Sequence, residues 1–124
     1  MNPVTRSLLE RVADPDLADF AMAWDALEER VVAIYRSGAC SSAEAEAFEH
    51  ARDAAAALYR RWAGALAPHW RDTSIDGAPV EEDPFVRILG ADQAGKVIGN
   101  WPLMRTLPPA REALNHLLLE QAVE

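Results

Sequence analysis

Two glutamate and histidine pairs have a spacing at which both side chains project from one face of a helix. Glu46 lies four residues before His50, and Glu112 lies four residues before His116. Imidazole and carboxylate groups bind zinc and iron, so two such faces meeting in a helical bundle would make a metal-dependent enzyme. The di-iron bundle motif, however, spaces these residues i,i+3, and His50 falls on the outer side of its helix relative to the apolar positions. We therefore expect exposed pairs that stabilise their helices, with no metal and no other cofactor.

An acidic segment, DTSIDGAPVEED at 72–83, has part of the ligand spacing of a calcium loop. An EF-hand loop places oxygen ligands at positions 1, 3, 5 and 12 and a turn glycine at position 6, and the segment resembles this motif at Asp72, Ser74, Asp76, Asp83 and Gly77. The resemblance fails at position 8, which is Pro79, and at position 12, where an aspartate replaces the bidentate glutamate. Pro84 also fits a helix that begins there rather than one already under way. We expect an acidic surface loop with an Asp-Gly turn, followed by a capped helix.

Nucleophilic catalysis has no support in the sequence. The single cysteine, Cys40, lies in a Gly-Ala-Cys-Ser-Ser turn with no histidine nearby in sequence to act as its base. No G-x-S-x-G, P-loop or G-x-G-x-x-G pattern occurs, so the hydrolase, NTPase and dinucleotide-binding classes are not indicated. We assign no catalytic residue and expect a protein without enzymatic activity. The alternative is a helical-bundle metal-dependent enzyme or small-ligand-binding protein that draws on Glu46, His50, Asp72, Asp76, Glu112 and His116.

Charge and cysteine content exclude further classes. The chain has 20 acidic and 12 basic residues, a formal charge of −8 and a pI of about 4.8. Since affinity for nucleic acid depends largely on Lys and Arg neutralising phosphates, nucleic-acid binding is not expected. One cysteine cannot form an internal disulfide, and the sequence has neither a signal-peptide-like apolar run nor a membrane span. We expect a cytoplasmic location and no membrane association.

The elements that position these residues are predicted to be helices of a single domain over 1–124, because a chain of 13.6 kDa buries enough surface for one core. A short helical arm is expected over 4–12. Asp14-Pro15 is typical of a helix start and Gly38 of a helix end. Between them, apolar residues recur at alternating steps of three and four, as on one helix face: Leu17, Phe20, Trp24, Leu27, Val31 and Ile34.

A second long helix is predicted to begin after Ser41, which forms a capping box with Glu44. Its apolar face is Phe48, Ala51, Ala55, Leu58, Trp62 and Ala65 or Leu66. The connection is so short that the two helices must run antiparallel. Shorter helices are expected from Asp83-Pro84 to Gly90 and from Pro108-Pro109 onward, with a single turn at 100–107 and no assignment for 91–100. The predicted fold class is all-α, an antiparallel hairpin of two long helices packed with shorter N- and C-terminal helices in a four-helix-bundle-like arrangement.

Apolar side chains beyond residue 66 point to a contact surface. Trp70 and Trp101 fall at ragged helix ends or short turns, where an indole near an arginine such as Arg105 suits a partner contact. Leu117, Leu118 and Leu119 are consecutive, so one helix face does not cover all three, and the N-terminal arm or a second chain must cover the rest. We predict an adaptor, regulator or homodimeric interaction module that contacts a protein partner or a second copy of itself. The predicted contact residues are Trp70, Trp101, Arg105, Leu117, Leu118 and Leu119.

Overall fold

A computed structural model of the chain describes residues 2–70, 74–75, 78–79, 83–91, 94–99 and 101–122. Among these residues the helices are α1 (Pro3–Leu9), α2 (Pro15–Ser37), α3 (Ser42–Leu66), α4 (Pro84–Leu89), α5 (Ala94–Gly99) and α6 (Trp101–Gln121). A 3-10 turn at Ala67–His69 extends α3, and the two-residue strands β1 (Ser74–Ile75) and β2 (Ala78–Pro79) pair antiparallel. The predicted all-α fold is confirmed, since α2 and α3 pack along each other and the other helices pack around them. None of the described helices is long and apolar enough to span a membrane.

Local capping sets the ends of the α2–α3 hairpin. Asp14 Oδ1 accepts hydrogen bonds from the backbone N–H groups of Asp16 (2.9 Å) and Leu17 (3.4 Å), and Gly38 ends α2 with a left-handed φ of 67°. Ser41 Oγ accepts from the Glu44 N–H at 3.1 Å, and the Glu44 carboxylate accepts from the Ser41 N–H, which completes the predicted capping box. An ion pair between Asp16 and Arg61 joins the start of α2 to the end of α3, as an antiparallel pair requires.

The core lies between the hairpin and the C-terminal helices. All six predicted apolar residues of α2 are buried, and on α3 Phe48, Ala55 and Leu66 are fully buried. Phe85 of α4 inserts its ring among aromatic side chains, with centroid distances of 4.6 Å to Trp24, 5.5 Å to Tyr59 and 5.7 Å to Trp70. Tilted and stacked ring pairs at these distances add to the stabilisation from area burial, so this cluster holds α4 on the hairpin.

Asp83 caps α4 as predicted, and it does so from a partly buried position. Its Oδ1 accepts a hydrogen bond from the Phe85 N–H at 2.8 Å. Burial raises the pKa of this carboxyl from 3.8 to about 6, although hydrogen bonds from the N–H groups of Phe85 and Val86 act in the opposite direction. The folded protein therefore keeps a proton that the unfolded chain has lost, and the contribution of Asp83 to stability falls as the pH rises from about 4 to about 6.

Helix α6 corrects one prediction. The last helix was expected to begin at Pro108-Pro109, but α6 runs from Trp101 to Gln121 with both prolines inside it. Each proline removes a backbone donor to the carbonyl four residues earlier. The apolar spacing nevertheless continues across the prolines, and its members are all buried: Leu103, Leu107, Ala110, Leu114 and Leu117. Burial of this continuous face outweighs the local cost of the prolines, since most helical stability in proteins comes from tertiary packing.

Candidate functional site

The glutamate and histidine pairs lie on exposed helix faces. Glu46 and His50 are exposed on α3, beside a depression with alanine walls between α2 and α3. On α6, His116 Nε2 lies 3.7 Å from Glu112 Oε1, with 52% and 71% of the two side chains exposed. Among the described residues, no group of three or more His, Cys, Asp or Glu side chains is arranged to hold a metal ion. Asp72 and Asp76, the other candidate ligands, lie outside the described residues.

Two histidines from different elements, His69 and His116, lie next to each other. The imidazoles of His69, in the 3-10 turn, and His116, on α6, stack with centroids 5.6 Å apart and planes 9° apart. His69 Nε2 lies 2.9 Å from Glu120 Oε2, on the same helix as His116. Each imidazole thus has its own carboxylate neighbour, and stacked parallel rings do not aim their nitrogen atoms at a common point.

The predicted contact residues divide into core and surface. Leu117 and Leu118 are buried at 1% and 0% exposure, which corrects their assignment to a contact surface, because α6 packs them into the core. Trp70 is partly buried and its ring lies 6.5 Å from that of Tyr59, so it also packs on the core. Leu119, in contrast, is 56% exposed.

The two remaining contact candidates lie near the start of α6. Arg105 is partly buried there. The side chain of Trp101 lies outside the described part of the structure. Among the predicted residues whose side chains the structure describes, Leu119 is therefore the one that presents a large apolar side chain to solvent.

Leu119 lies on an open groove of about 720 Å³ formed by α1, α2 and α6. Most of the wall is apolar, contributed by Val4, Leu8, Val32, Met104, Leu107, Pro108 and Leu119. The polar lining comes from Asn2, Glu28, Arg111, Glu112, Asn115 and His116. Val4 is 58% exposed, so α1 and α6 each place a large exposed apolar side chain on this groove. A concave, mainly apolar surface with a few polar groups has the general character of a binding site.

A buried polar network connects the three helices that form the groove. Arg111 is only 7% exposed, and its guanidinium lies between two carboxylates of α2. Its Nε donates to Glu28 Oε2 at 3.2 Å, and its Nη2 lies 3.1 Å from Glu28 Oε1 and 3.2 Å from Asp25 Oδ1. Arg111 Nη1 donates to Thr5 Oγ1 at 3.0 Å, and that hydroxyl donates to Asn115 Oδ1 at 2.7 Å. One side chain of α6 therefore fixes both α2 and α1, the other two walls of the groove.

The network also determines which charged side chains of the groove are accessible to solvent. The guanidinium of Arg111 is compensated inside the fold by carboxylates that hold it on two sides. The lining carboxylates retain access to solvent, with 71% of the Glu112 side chain and 23% of the Glu28 side chain exposed. Among the described lining residues, the fixed charges that face solvent are thus acidic.

Sequence reasoning did not find Arg111. A weak signal was present, because Arg111 lies four residues after Leu107 and three before Leu114, which is a buried register on a helix. An arginine in such a register needs a partner carboxylate. The sequence offers 20 acidic residues, and only the packing of α2 against α6 selects Asp25 and Glu28.

The groove between α1, α2 and α6 is accordingly the candidate functional site. It combines exposed apolar side chains, the buried hydrogen-bond network of Arg111 and an edge with exposed acidic side chains. Comparison of the chain with models of known protein families, with curated proteins and with solved structures found no match. Function is therefore inferred from the site alone.

Proposed function

We propose that this chain is a non-catalytic interaction module that binds a segment of a partner protein in the α1–α2–α6 groove. The observation that carries the proposal is the pair Val4 and Leu119, which are 58% and 56% exposed and both lie on this groove. Large apolar side chains exposed singly on a surface are ordinary, but two of them on one concave, mainly apolar surface are typical of a contact site.

The shape of the groove favours a protein segment over a small ligand. A shallow depression of about 250 Å³ continues from it along α2, and the two share Glu28 and Val32. The combined surface is long and open, whereas sites for small molecules enclose most of the ligand. The guanidinium of Arg111, the buried cation of the lining, is held by Glu28, Asp25 and Thr5, so it is not free to bind an anionic small ligand.

The Arg111 network supports binding by holding the walls in place before a partner arrives. α1 has only seven residues, and Leu8 and Thr5 are its buried side chains. The Thr5 hydroxyl is bonded to both Arg111 and Asn115 of α6. A wall that is already ordered costs less conformational entropy on binding, which increases affinity.

The experiment that tests the proposal compares three immobilised baits in extracts of the cells that make the protein: the wild-type chain, Leu119→Asp and Met22→Asp. Met22 is 57% exposed on α2 and does not line the groove, so it is a control matched in exposure and in the charge introduced. Quantitative mass spectrometry should find a protein that the wild-type chain and Met22→Asp retain and Leu119→Asp loses. The same protein, once purified, should bind Leu119→Asp at least about tenfold more weakly than wild type.

Two results would contradict the proposal. Equal loss of every retained protein with both variants would show that the effect of Leu119→Asp is not local to the groove. A small molecule that co-purifies with wild type and is lost with Leu119→Asp, detected by native mass spectrometry, would favour the ligand-binding alternative.

A further inference from the structure

We infer that the occupant of the groove is a cationic amphipathic helix of another protein, with an apolar face on the α1–α2–α6 walls and Lys or Arg residues beside Glu112 and Glu28. This inference rests on the proposed function and adds the chemistry of the partner. Three observations carry it: the charges that the groove presents, the length of the apolar surface and the net charge of the chain.

The first observation is the sign of the accessible charge. Arg111 is only 8% exposed and its guanidinium lies against both Asp25 and Glu28, so its positive charge is compensated within the fold. Glu112 stands at the edge with 71% of its side chain exposed, and Glu28 is partly accessible. Complementary charge at the rim of an interface selects partners and increases the association rate. A basic side chain therefore fits this edge, and an acidic one is repelled.

The second observation is the length of the surface. From Glu28 through Val32 to Arg36, the lining of the groove and of its continuation follows one face of α2. Arg36 is basic and exposed, so the acidic edge that suits a cationic residue is confined to the end of this surface that holds Glu28 and Glu112. The eight residue steps from Glu28 to Arg36 rise roughly 12 Å, which is about two turns of helix. Apolar side chains from three different helices line the sides, which suits a helix that lays one apolar face between them.

The third observation disfavours a second copy as the occupant. The chain has 20 acidic and 12 basic residues and a formal charge of −8, so two copies repel each other as they approach. A cationic segment is attracted by the same field. The net charge of the chain, which by itself indicates no function, thus has the same sign as the exposed charges at the edge of the groove.

The test uses two synthetic helical peptides with the same leucine face, one with lysine and one with glutamate at the polar positions. Each is titrated into the ¹⁵N-labelled full chain at low salt, and amide chemical shifts are followed. The lysine peptide should bind at least about tenfold more tightly, and its shift changes should map to Val4, Val32, Met104 and Leu119. Equal binding of the two peptides, or changes centred on the alanine-walled depression between α2 and α3, would overturn the inference.

A pair of charge reversals separates a local effect from the general field. Glu112→Lys and Glu46→Lys each change an exposed helical glutamate that has a histidine four residues later, but only Glu112 lines the groove. Glu112→Lys should weaken the lysine peptide by about fivefold or more relative to Glu46→Lys. Equal weakening by the two variants would mean that attraction is non-specific, and the inference would fail.

The failure of this inference is distinguishable from that of the proposed function. If the glutamate peptide binds the groove as well as the lysine peptide does, the groove remains a protein-binding site and only the partner chemistry is wrong. If the groove amides shift with protein concentration when no peptide is present, the occupant is a second copy of the chain. If neither peptide affects the groove and no Leu119-dependent partner is found, both proposals fail.

Discussion

Replacing Arg111 by methionine tests whether the buried network holds the groove together. Methionine keeps most of the length and apolar stem of arginine but leaves Asp25, Glu28 and Thr5 without the guanidinium that they contact at 3.0–3.2 Å. Removing one partner of a buried ion pair costs about 3–5 kcal/mol, because the remaining charged group loses a counter-ion where it is poorly hydrated. The Glu28 side chain keeps 23% exposure and can regain some hydration, so we expect the lower end, about 3 kcal/mol.

The assay is urea denaturation followed by circular dichroism, with Arg61→Met as the matched control. Arg61 also forms an ion pair, with Asp16, but 62% of its side chain is exposed, so its loss should cost less than about 1 kcal/mol. Arg111→Lys retains the charge without the planar fork that reaches two helices, and its stability should lie between wild type and Arg111→Met. If Arg111→Met and Arg61→Met are equally stable within error, the reasoning about the network is refuted.

Three further predictions concern the fold. Asp83→Asn keeps the helix cap but cannot be ionised. Its free energy of unfolding relative to wild type should therefore rise by about 1 kcal/mol from pH 4.5 to pH 7.5, after allowance for partial solvent exposure. Urea titrations that show a constant difference between the two proteins would contradict this. Leu118→Ala should lower the free energy of unfolding by about 2–5 kcal/mol, and Leu119→Ala by less than about 0.5 kcal/mol, as measured by the same titrations. Similar costs for the two variants would mean that the leucine run is not divided between core and surface. Gly38→Ala should lower stability by about 1 kcal/mol because the backbone there is left-handed. Gly64→Ala, in the last turn of α3 with open space around it, should raise stability by about 0.5–1 kcal/mol, and equal melting shifts for the two variants would be inconsistent with this structure.

The hairpin could be predicted because its signals are local. Asp14, Gly38 and Ser41 each act through hydrogen bonds or backbone conformation within a few residues, and the apolar spacing of α2 needs only one helix to be interpreted. The start of α6 could not be predicted in the same way. Pro108 and Pro109 favour a helix start locally, and the continuous helix forms because the residues on both sides of them are buried by other elements.

The candidate site was only partly accessible to sequence reasoning. The leucine run correctly indicated that one face could not cover all three side chains, but whether Leu117, Leu118 or Leu119 would be exposed depends on where α1 and α4 pack on α6. The groove itself is made by α1, α2 and α6, and Val4 and Leu119 are separated by most of the chain. Contacts of such long sequence separation are set by the tertiary fold and leave no spacing pattern in the sequence.

The most direct test of the central claim is photo-crosslinking in the cells that make the protein. A photoreactive amino acid placed at position 119 reports on the groove, and the same residue at position 22 reports on an equally exposed apolar site away from it. A discrete crosslinked product with another protein is expected from position 119, and none is expected from position 22. The absence of a product from position 119, or the same product from both positions, would contradict it.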